Sequence, residues 1–128
     1  MKPRRLKVQS KGAWLSKPQD HDYPAAESYL QLVYDKATAA RLVRKLKSAS
    51  MRKFKAKDIF RASALPLLGP SNYHVKRDHE KIINGEKVSP LLLVRQSKLA
   101  RVIIADGYHR LCAIYSLDED AVIPCKIV

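Results

Sequence analysis

The sequence predicts a small α/β (α+β) domain, in which a small mixed β-sheet has flanking helices. Two observations predict it. Short continuous apolar runs, typical of buried strands, alternate with longer amphipathic runs, typical of helices that cover a core. The second half of the chain follows the order strand, helix, strand, strand, helix, strand, and two helices precede it. With 128 residues, 46% of them hydrophobic, the chain can bury one core.

The start of the chain predicts a flexible basic arm over residues 1–21. Its Lys, Arg, Pro, Gly and Ser residues show no period, and we expect the arm to pack at Trp14. Asp22-Tyr23-Pro24 is typical of a helix start, because proline is tolerated in the first turn. One side of the helix that follows carries Tyr29, Leu30, Val33 and Tyr34.

A second helix is predicted from Asp35, whose side chain can cap it, to about Lys47. Its apolar residues recur at the spacing i, i+3, i+4, i+7, as Ala39, Leu42, Val43 and Leu46. The opposite face carries Lys36, Arg41, Arg44, Lys45 and Lys47. Together the two helices form a predicted helical extension, residues 22–50, which either covers the core or presents this charged face.

A different pattern begins near Phe54. Lys57 to Phe60 is interpreted as a short strand or the entry to a turn. Ser71 or Asn72 can cap a helix over Tyr73 to Ile83, which Asn84-Gly85 would end.

Three strands and one helix are predicted in the rest of the chain. The strands cover Leu91 to Val94, Arg101 to Ala105 and Val122 to Val128, and the helix covers Tyr108 to Leu117. Pro124 lacks a backbone N–H, which favours an edge position or a strand start for the last strand.

The pentapeptide Asp106-Gly107-Tyr108-His109-Arg110 lies between a predicted strand and a predicted helix. A glycine turn at this point leaves the first N–H groups of the helix unpaired, and these groups and the helix dipole favour an anion. His109 and Arg110 add a titratable donor and a permanent bidentate donor. The pattern is typical of phosphate binding. It is explained equally well by a glycine before a helix that is followed by a solvated His-Arg pair.

The formal charge of +13 is concentrated in the N-terminal half. Residues 1–60 carry 15 Lys and Arg against 5 Asp and Glu, whereas residues 61–128 carry 10 against 7. A field of this kind attracts polyanions such as nucleic acid or nucleotides, but it is also compatible with an ordinary solvated surface.

The two cysteines, Cys112 and Cys125, lie in apolar surroundings without metal-ligand spacing, and we expect buried free thiols. No apolar run is long enough to span a bilayer, and the basic segment Met1 to Ser10 has no apolar stretch behind it. These features favour a cytoplasmic protein.

The order of the elements and four stretches of sequence resemble the ParB/sulfiredoxin-like superfamily, which includes the ParB N-terminal, nuclease-like domain, over about residues 54–128. The stretches are Lys57 to Arg61, Ser89 to Val94, Ile103 to Ala113 and Ile123 to Val128. Gly107-x-x-Arg110-x-x-Ala113 is the most specific element. ParB-type proteins have Gly-Glu-Arg-Arg there, sulfiredoxins Gly-Cys-His-Arg and ParB-like free-serine kinases Asp-Gly-His-His-Arg. The pentapeptide of this chain is most similar to the last two.

The resemblance implies a site for ATP or CTP with Mg²⁺, whose phosphates contact the pentapeptide and the helix after Ser71. The cofactor-binding residues that it implies are Gly107, Tyr108, His109, Arg110, His74, Arg77, Lys81 and Arg61. Arg61 either closes the site from another side or simply lies on the surface. His74, Arg77 and Lys81 share one helix face by their spacing. Asp78 and Glu80 are interspersed, so a solvated basic stripe remains the alternative.

Two departures from the superfamily narrow the function. Tyr108 stands where sulfiredoxins have their nucleophilic cysteine, and a phenol cannot replace a thiolate at neutral pH. Cys112 lies one turn further on and is expected to point into the core, so sulfinic acid reduction is not expected. Partition proteins continue into a helix-turn-helix, whereas the sequence here stops at Val128, so partition-site binding is not expected either.

Asp106 and His109 are the predicted catalytic residues. Asp106 could cap the helix, hold Mg²⁺ as the predicted metal ligand, or accept a proton from a hydroxyl substrate. Three functions stay open: a nucleotide-binding phosphotransferase or NTPase, a nucleic-acid-binding or nuclease-like protein that uses its basic N-terminal half, and a non-catalytic interaction protein.

Overall fold

The computed structural model describes residues 14–128, which contain five α-helices and one four-stranded mixed sheet. The helices are α1 (Asp22–Val33), α2 (Lys36–Ser48), α3 (Ala56–Ser63), α4 (Tyr73–Ile83) and α5 (Tyr108–Leu117). The strands are β1 (Arg52–Lys55), β2 (Leu91–Gln96), β3 (Arg101–Asp106) and β4 (Val122–Ile127). The predicted mixed fold of helices and sheet is therefore confirmed.

The sheet has the strand order β1-β4-β2-β3. β4 is antiparallel to β1 and parallel to β2, and β3 returns antiparallel to β2 through a short 3₁₀ turn, Ser97–Leu99. The register between β2 and β3 shifts between Leu92 and Leu93, which leaves Ala105 as an extra residue next to Asp106. Such a bulge bends a strand and changes the direction of nearby side chains. Here it lies at the end of β3, directly before the glycine turn.

The first four residues of β2, Leu91 to Val94, are buried on both faces of the sheet, which explains their continuous apolar sequence. Leu91 and Leu93 join a core with α3 and α5, whereas Leu92 and Val94 join a second core with α1 and α2. The side chains alternate in this way because a strand has a period of two residues. The sheet is thus the middle layer of three.

Helices α1 and α2 cover one face of the sheet. In α2 the buried residues are Ala39, Val43 and Leu46, as their spacing predicted, and the Asp35 carboxylate caps the helix by accepting from the Thr38 N–H at 2.7 Å. In α1 the buried apolar residues are Ala26 and Leu30, whereas Tyr29 and Val33, predicted on the same side as Leu30, are each 42% exposed. The helix thus turns its small residue Ala26 toward the sheet.

The segment interpreted as a strand or turn at Lys57 to Phe60 is instead part of α3, and the strand lies earlier, as β1. Within α3, Ala56, Ile59 and Ser63 are buried. These positions share one helix face, which packs against the core. This packing outweighs the intrinsic preference of Ile59 and Phe60 for strands.

Pro124 does not mark an edge strand, because β4 lies inside the sheet between β1 and β2. The proline pairs with Lys53 of β1, but the ladder to β2 begins only at Cys125. On the β2 side, Pro124 therefore precedes the start of the ladder, where a missing N–H costs no sheet hydrogen bond.

Residues 14–21 of the predicted arm pack against the domain, while residues 1–13 lie outside the described residues. Trp14 is buried and forms a bridge with Val88, and the Leu15 N–H donates to the Val88 carbonyl at 2.9 Å. The expected packing at Trp14 is confirmed. Among residues 14–128, no helix combines the length and apolarity that crossing a membrane requires.

Candidate functional site

A polar pocket of about 200 Å³ lies where β3 ends and α5 begins. It is lined by His74, Arg77 and Asp78 of α4 and by the whole pentapeptide, Asp106, Gly107, Tyr108, His109 and Arg110. Helix α4 packs directly on α5, which brings the two groups together. The structure thus brings together seven of the nine predicted site residues, and it adds Asp78 to them.

Gly107 makes the turn that opens the pocket. Its φ is 107°, in the left-handed region, and it is the N-cap residue of α5. A Cβ at this position would lie 2.8 Å from Leu91 Cγ and 2.9 Å from Arg110 Nη2. Both the backbone angle and the close approach require glycine.

The first turn of α5 has no side-chain cap at its N-cap residue, Gly107. The interpretation of Asp106 as a helix cap is wrong, because its carboxylate instead accepts from Arg110 Nη2 at 2.9 Å. The uncapped N–H groups carry the positive end of the helix dipole. They lie at the pocket and favour an anion there.

Arg110 is turned toward the protein. Its Nε donates to the Ser89 carbonyl at 3.0 Å, and its Nη2 donates to the Pro90 carbonyl at 3.3 Å as well as to Asp106. The side chain is 16% exposed. Arg110 therefore ties the start of β2 to the end of β3 and positions the turn, with Nη1 left over from these three bonds.

Two imidazoles meet across the pocket. The ring centroids of His74 and His109 are 4.9 Å apart, with 43° between the ring planes. Burial lowers the pKa of His109 below its ordinary value, and His74 and Arg110 lower it further, while Asp78 opposes the shift. His109 is thus neutral at neutral pH, with one ring nitrogen able to accept a proton.

The pocket is balanced in charge rather than basic. Two guanidinium groups, of Arg77 and Arg110, and two carboxylates, of Asp78 and Asp106, line it, and the histidines add charge only when protonated. Burial raises the pKa of Asp106, and the Arg110 guanidinium opposes that rise. Arg77 is exposed, in contrast to the arginine of the pentapeptide, so its guanidinium is the permanent cation that a ligand can reach.

Two residues implied by the resemblance lie outside the lining of the pocket. Lys81 is on α4, one turn beyond Arg77, and Arg61 is exposed on α3. Asp78, by contrast, was not a predicted site residue, and its presence in α4 favoured the alternative of a solvated basic stripe. In the structure it lines the pocket. Its spacing of i+4 from His74 was the signal that could have predicted this.

Tyr108 closes one side of the site. Its hydroxyl donates to the carbonyl of Pro66, in the loop between α3 and α4. Burial raises the pKa of Tyr108, which agrees with the view that its phenol cannot act as a nucleophile.

Both cysteines are free and buried. Burial raises the pKa of the Cys112 thiol, which lies below Tyr108, and raises the pKa of the Cys125 thiol to about 12. The expectation of buried free thiols is confirmed.

Sequence reasoning missed the support behind the pentapeptide. The Ser89 hydroxyl donates to Gln19 Oε1 at 2.8 Å, and the Gln19 N–H donates to the buried carboxylate of Asp22 at 2.9 Å. His21 lies 3.3 Å from Asp22, and both residues act electrostatically on Asp106. No local signal could have predicted a bond between residues 70 positions apart.

The residues fit a phosphate group better than a metal ion. Arg77 and the N–H groups of α5 suit a phosphate, and about 200 Å³ is below the usual range for a whole small-molecule ligand. Within residues 14–128 no group of three or more His, Cys, Asp or Glu could hold a metal. Mg²⁺ at Asp106 would take most of its remaining ligands from water and from phosphate oxygens of a nucleotide.

Comparison with known proteins gives no relative: no family model, curated protein or solved structure matches this chain. Its function is therefore inferred from the residues of the site.

Proposed function

We propose that this chain is a nucleotide-binding protein, similar to the ParB/sulfiredoxin-like superfamily, that holds the phosphates of ATP or CTP in the pocket at the start of α5. One observation carries the proposal. The uncapped N-terminus of α5, after the left-handed Gly107, faces the same pocket as Arg77 and the His74–His109 pair. Backbone N–H groups, a guanidinium and titratable imidazoles are the donors that phosphate sites use.

Each residue has a distinct role in this proposal. Arg77 and the N–H groups of α5 bind phosphate oxygens, and His109 adds a charge-assisted bond once it is protonated. Arg110 is a positioning residue. The base and sugar lie outside the pocket, past His74, where the ring of Tyr73 is 5.5 Å from the His74 ring and 69% exposed.

A phosphotransferase or NTPase reaction is the enzymatic form of the proposal. The oxygen of a hydroxyl acceptor or water forms a bond to the terminal phosphorus, the bond to the bridging oxygen breaks, and the nucleoside diphosphate leaves with that electron pair. Asp106, with its raised pKa, accepts the proton of the attacking hydroxyl. Mg²⁺ would neutralise charge on the phosphates.

Calorimetric titration with ATP, CTP and pyrophosphate, with and without Mg²⁺, tests the proposal. We choose about 150 mM salt, at which the Debye length is about 8 Å and loose attraction to surface charge is screened. The test variants are Arg77→Gln and His109→Asn. Lys76→Gln is the matched control, because Lys76 is an exposed cation of α4 outside the pocket lining.

We expect saturable binding that Arg77→Gln weakens about 10- to 100-fold, the worth of a charge-assisted hydrogen bond, and that Lys76→Gln leaves unchanged. Arg110→Ala is a poor probe, because it also removes three bonds within the protein. Absence of saturable binding, or equal losses in Arg77→Gln and Lys76→Gln, contradicts the proposal.

Contact with nucleic acid is the second proposed function, and it uses another part of the molecule. The observation in its favour is the outer face of α2, where the five basic residues predicted there are all exposed. Helix α2 itself contains no Asp or Glu. A uniformly basic face of this kind is typical of proteins that contact phosphodiester backbones.

A further inference from the structure

The register of the sheet extends the basic surface beyond α2. Leu92 belongs to the core beneath α1 and α2, and Lys126 of β4 is its partner in the register, so Lys126 lies on the same face of the sheet. On β1, Lys53 and Lys55 are opposite Pro124 and Val122, which share this face with Lys126. Helices α1 and α2 pack over β2 and β3, which leaves the lysines of β1 and β4 beside α2.

We call the resulting surface the basic face. It consists of Lys36, Arg41, Arg44, Lys45 and Lys47 of α2, Lys53 and Lys55 of β1, and Lys126 of β4. Seven of these eight residues are exposed, and Lys126 is half-buried. Glu27 of α1 and Lys47 both line the groove between α1 and α2, and Glu27 is the one carboxylate in that lining.

Lys47 and Lys126 converge on one aromatic ring. Their ammonium nitrogens lie 5.7 Å and 5.8 Å from the centroid of the Tyr23 ring, and Lys126 Nζ donates to the Lys47 carbonyl at 2.8 Å. Both ammonium groups therefore add positive charge to the basic face beside the Tyr23 ring, and a concentration of positive charge attracts phosphate groups.

We infer that the basic face binds the phosphodiester backbone of double-stranded nucleic acid, with Lys47 and Lys126 each contacting a phosphate. The inference rests on the second proposed function and assigns its surface. A duplex is favoured because binding of single strands depends on bases stacking on free aromatic rings, whereas the Tyr23 ring is covered by the two lysines. The contact reads no bases and is steeply dependent on salt.

The experiment measures fluorescence anisotropy of a labelled duplex across a range of salt concentrations, with a single strand of the same length beside it. The two test variants are Lys47→Gln/Lys126→Gln and Arg41→Gln/Arg44→Gln, the second of which removes no side-chain bond of the described fold. The control is Arg61→Gln/Lys76→Gln, which removes the same charge from α3 and α4, on the other side of the sheet. Thermal unfolding checks that each variant folds.

We expect each test variant to lower the slope of log affinity against log salt by about 1.8, that is about 0.9 for each lost phosphate contact, while the control keeps the wild-type slope. Equal losses in test and control variants overturn the assignment of the surface but leave the second function standing. Tighter binding of the single strand overturns the choice of a duplex. If the wild type binds neither strand form at about 50 mM salt, the nucleic-acid function and the inference both fail.

Discussion

Arg110 and Asp106 form an ion pair of 2.9 Å that encloses the turn at Gly107. Both side chains are 16% exposed, and the arginine also donates to two carbonyls at the start of β2. The superfamily resemblance assigns this arginine to phosphates, but its hydrogen bonds are to the protein and stabilise the turn that forms the site. Arg77 of α4 is the guanidinium that faces the pocket from its open side.

The ion pair predicts unequal effects of its two partners on stability. Arg110→Ala leaves a half-buried carboxylate and two buried carbonyls without this partner and should lower the free energy of unfolding by about 3–5 kcal/mol. Asp106→Asn keeps an acceptor for Arg110 and removes a charge that is costly to hold in this half-buried place, so its effect should be below about 1.5 kcal/mol. Urea denaturation of both variants measures this. A loss in Arg110→Ala no larger than that in Lys76→Ala would contradict the positioning role.

The three glycines Gly107, Gly85 and Gly69 provide a graded test of the turn. Gly107→Ala combines a left-handed φ with a clash against Leu91 and should destabilise the protein by about 2–4 kcal/mol. Gly85→Ala has a φ of 80° but open space, so about 1–2 kcal/mol is expected. Gly69→Ala has neither problem and should be close to neutral. Thermal unfolding gives the order, and a neutral Gly107→Ala would exclude this geometry.

Anion affinity should rise as the pH falls. The pKa of His109 lies below its ordinary 6.5, because burial and His74 disfavour the imidazolium. A bound anion favours the imidazolium and raises the pKa of His109. At pH values between the pKa of the free protein and that of the anion-bound protein, binding therefore takes up a proton, and affinity rises by at most about tenfold for each pH unit of decrease. Sulfate is the probe, since its charge is constant from pH 5 to 8. Calorimetry should show a flatter profile in His109→Asn; identical profiles would contradict the prediction.

The same lowered pKa makes folding depend on pH with a known sign. Without a ligand, the unfolded chain binds a proton at His109 more readily than the folded chain does. The contribution of this residue to stability is therefore complete well above pH 6.5 and is lost as the pH falls through 6.5 toward the folded pKa. His109→Gln should flatten this part of the profile of unfolding free energy against pH, with His79→Gln as control.

Two alanines with left-handed backbones are positions where glycine should stabilise. Ala64 ends α3 with a φ of 55°, and Ala100 follows the 3₁₀ turn with a φ of 51°. Glycine relieves this strain, and Ala64→Gly and Ala100→Gly should each raise the free energy of unfolding by about 0.5–1 kcal/mol. Ala40→Gly, inside α2, should lower it by about 1 kcal/mol. Chemical denaturation distinguishes the signs, and losses at Ala64 and Ala100 would refute the idea.

The sequence predicted the elements whose ends are marked by local chemistry. Helix α4 starts after Asn72, whose side chain accepts from the N–H groups of His74 and Val75, and α5 starts after Gly107; both helices have the predicted bounds. Helix α3 was missed because no side chain caps it, and the strand preferences of Ile59 and Phe60 outweighed its helical spacing.

For the site, the sequence by itself determined the pentapeptide, its glycine turn and the helix face that opposes it. These follow from backbone angles and from spacing within one element, which neighbouring residues specify. The tertiary structure decided which groups the pocket receives: Arg110 turns to the carbonyls of Ser89 and Pro90, Asp78 enters, and Lys81 and Arg61 stay outside. It also decided that Lys53, Lys55 and Lys126 join α2 on one surface. The direction of a side chain and the register of a strand depend on partners far along the chain, which no local pattern encodes.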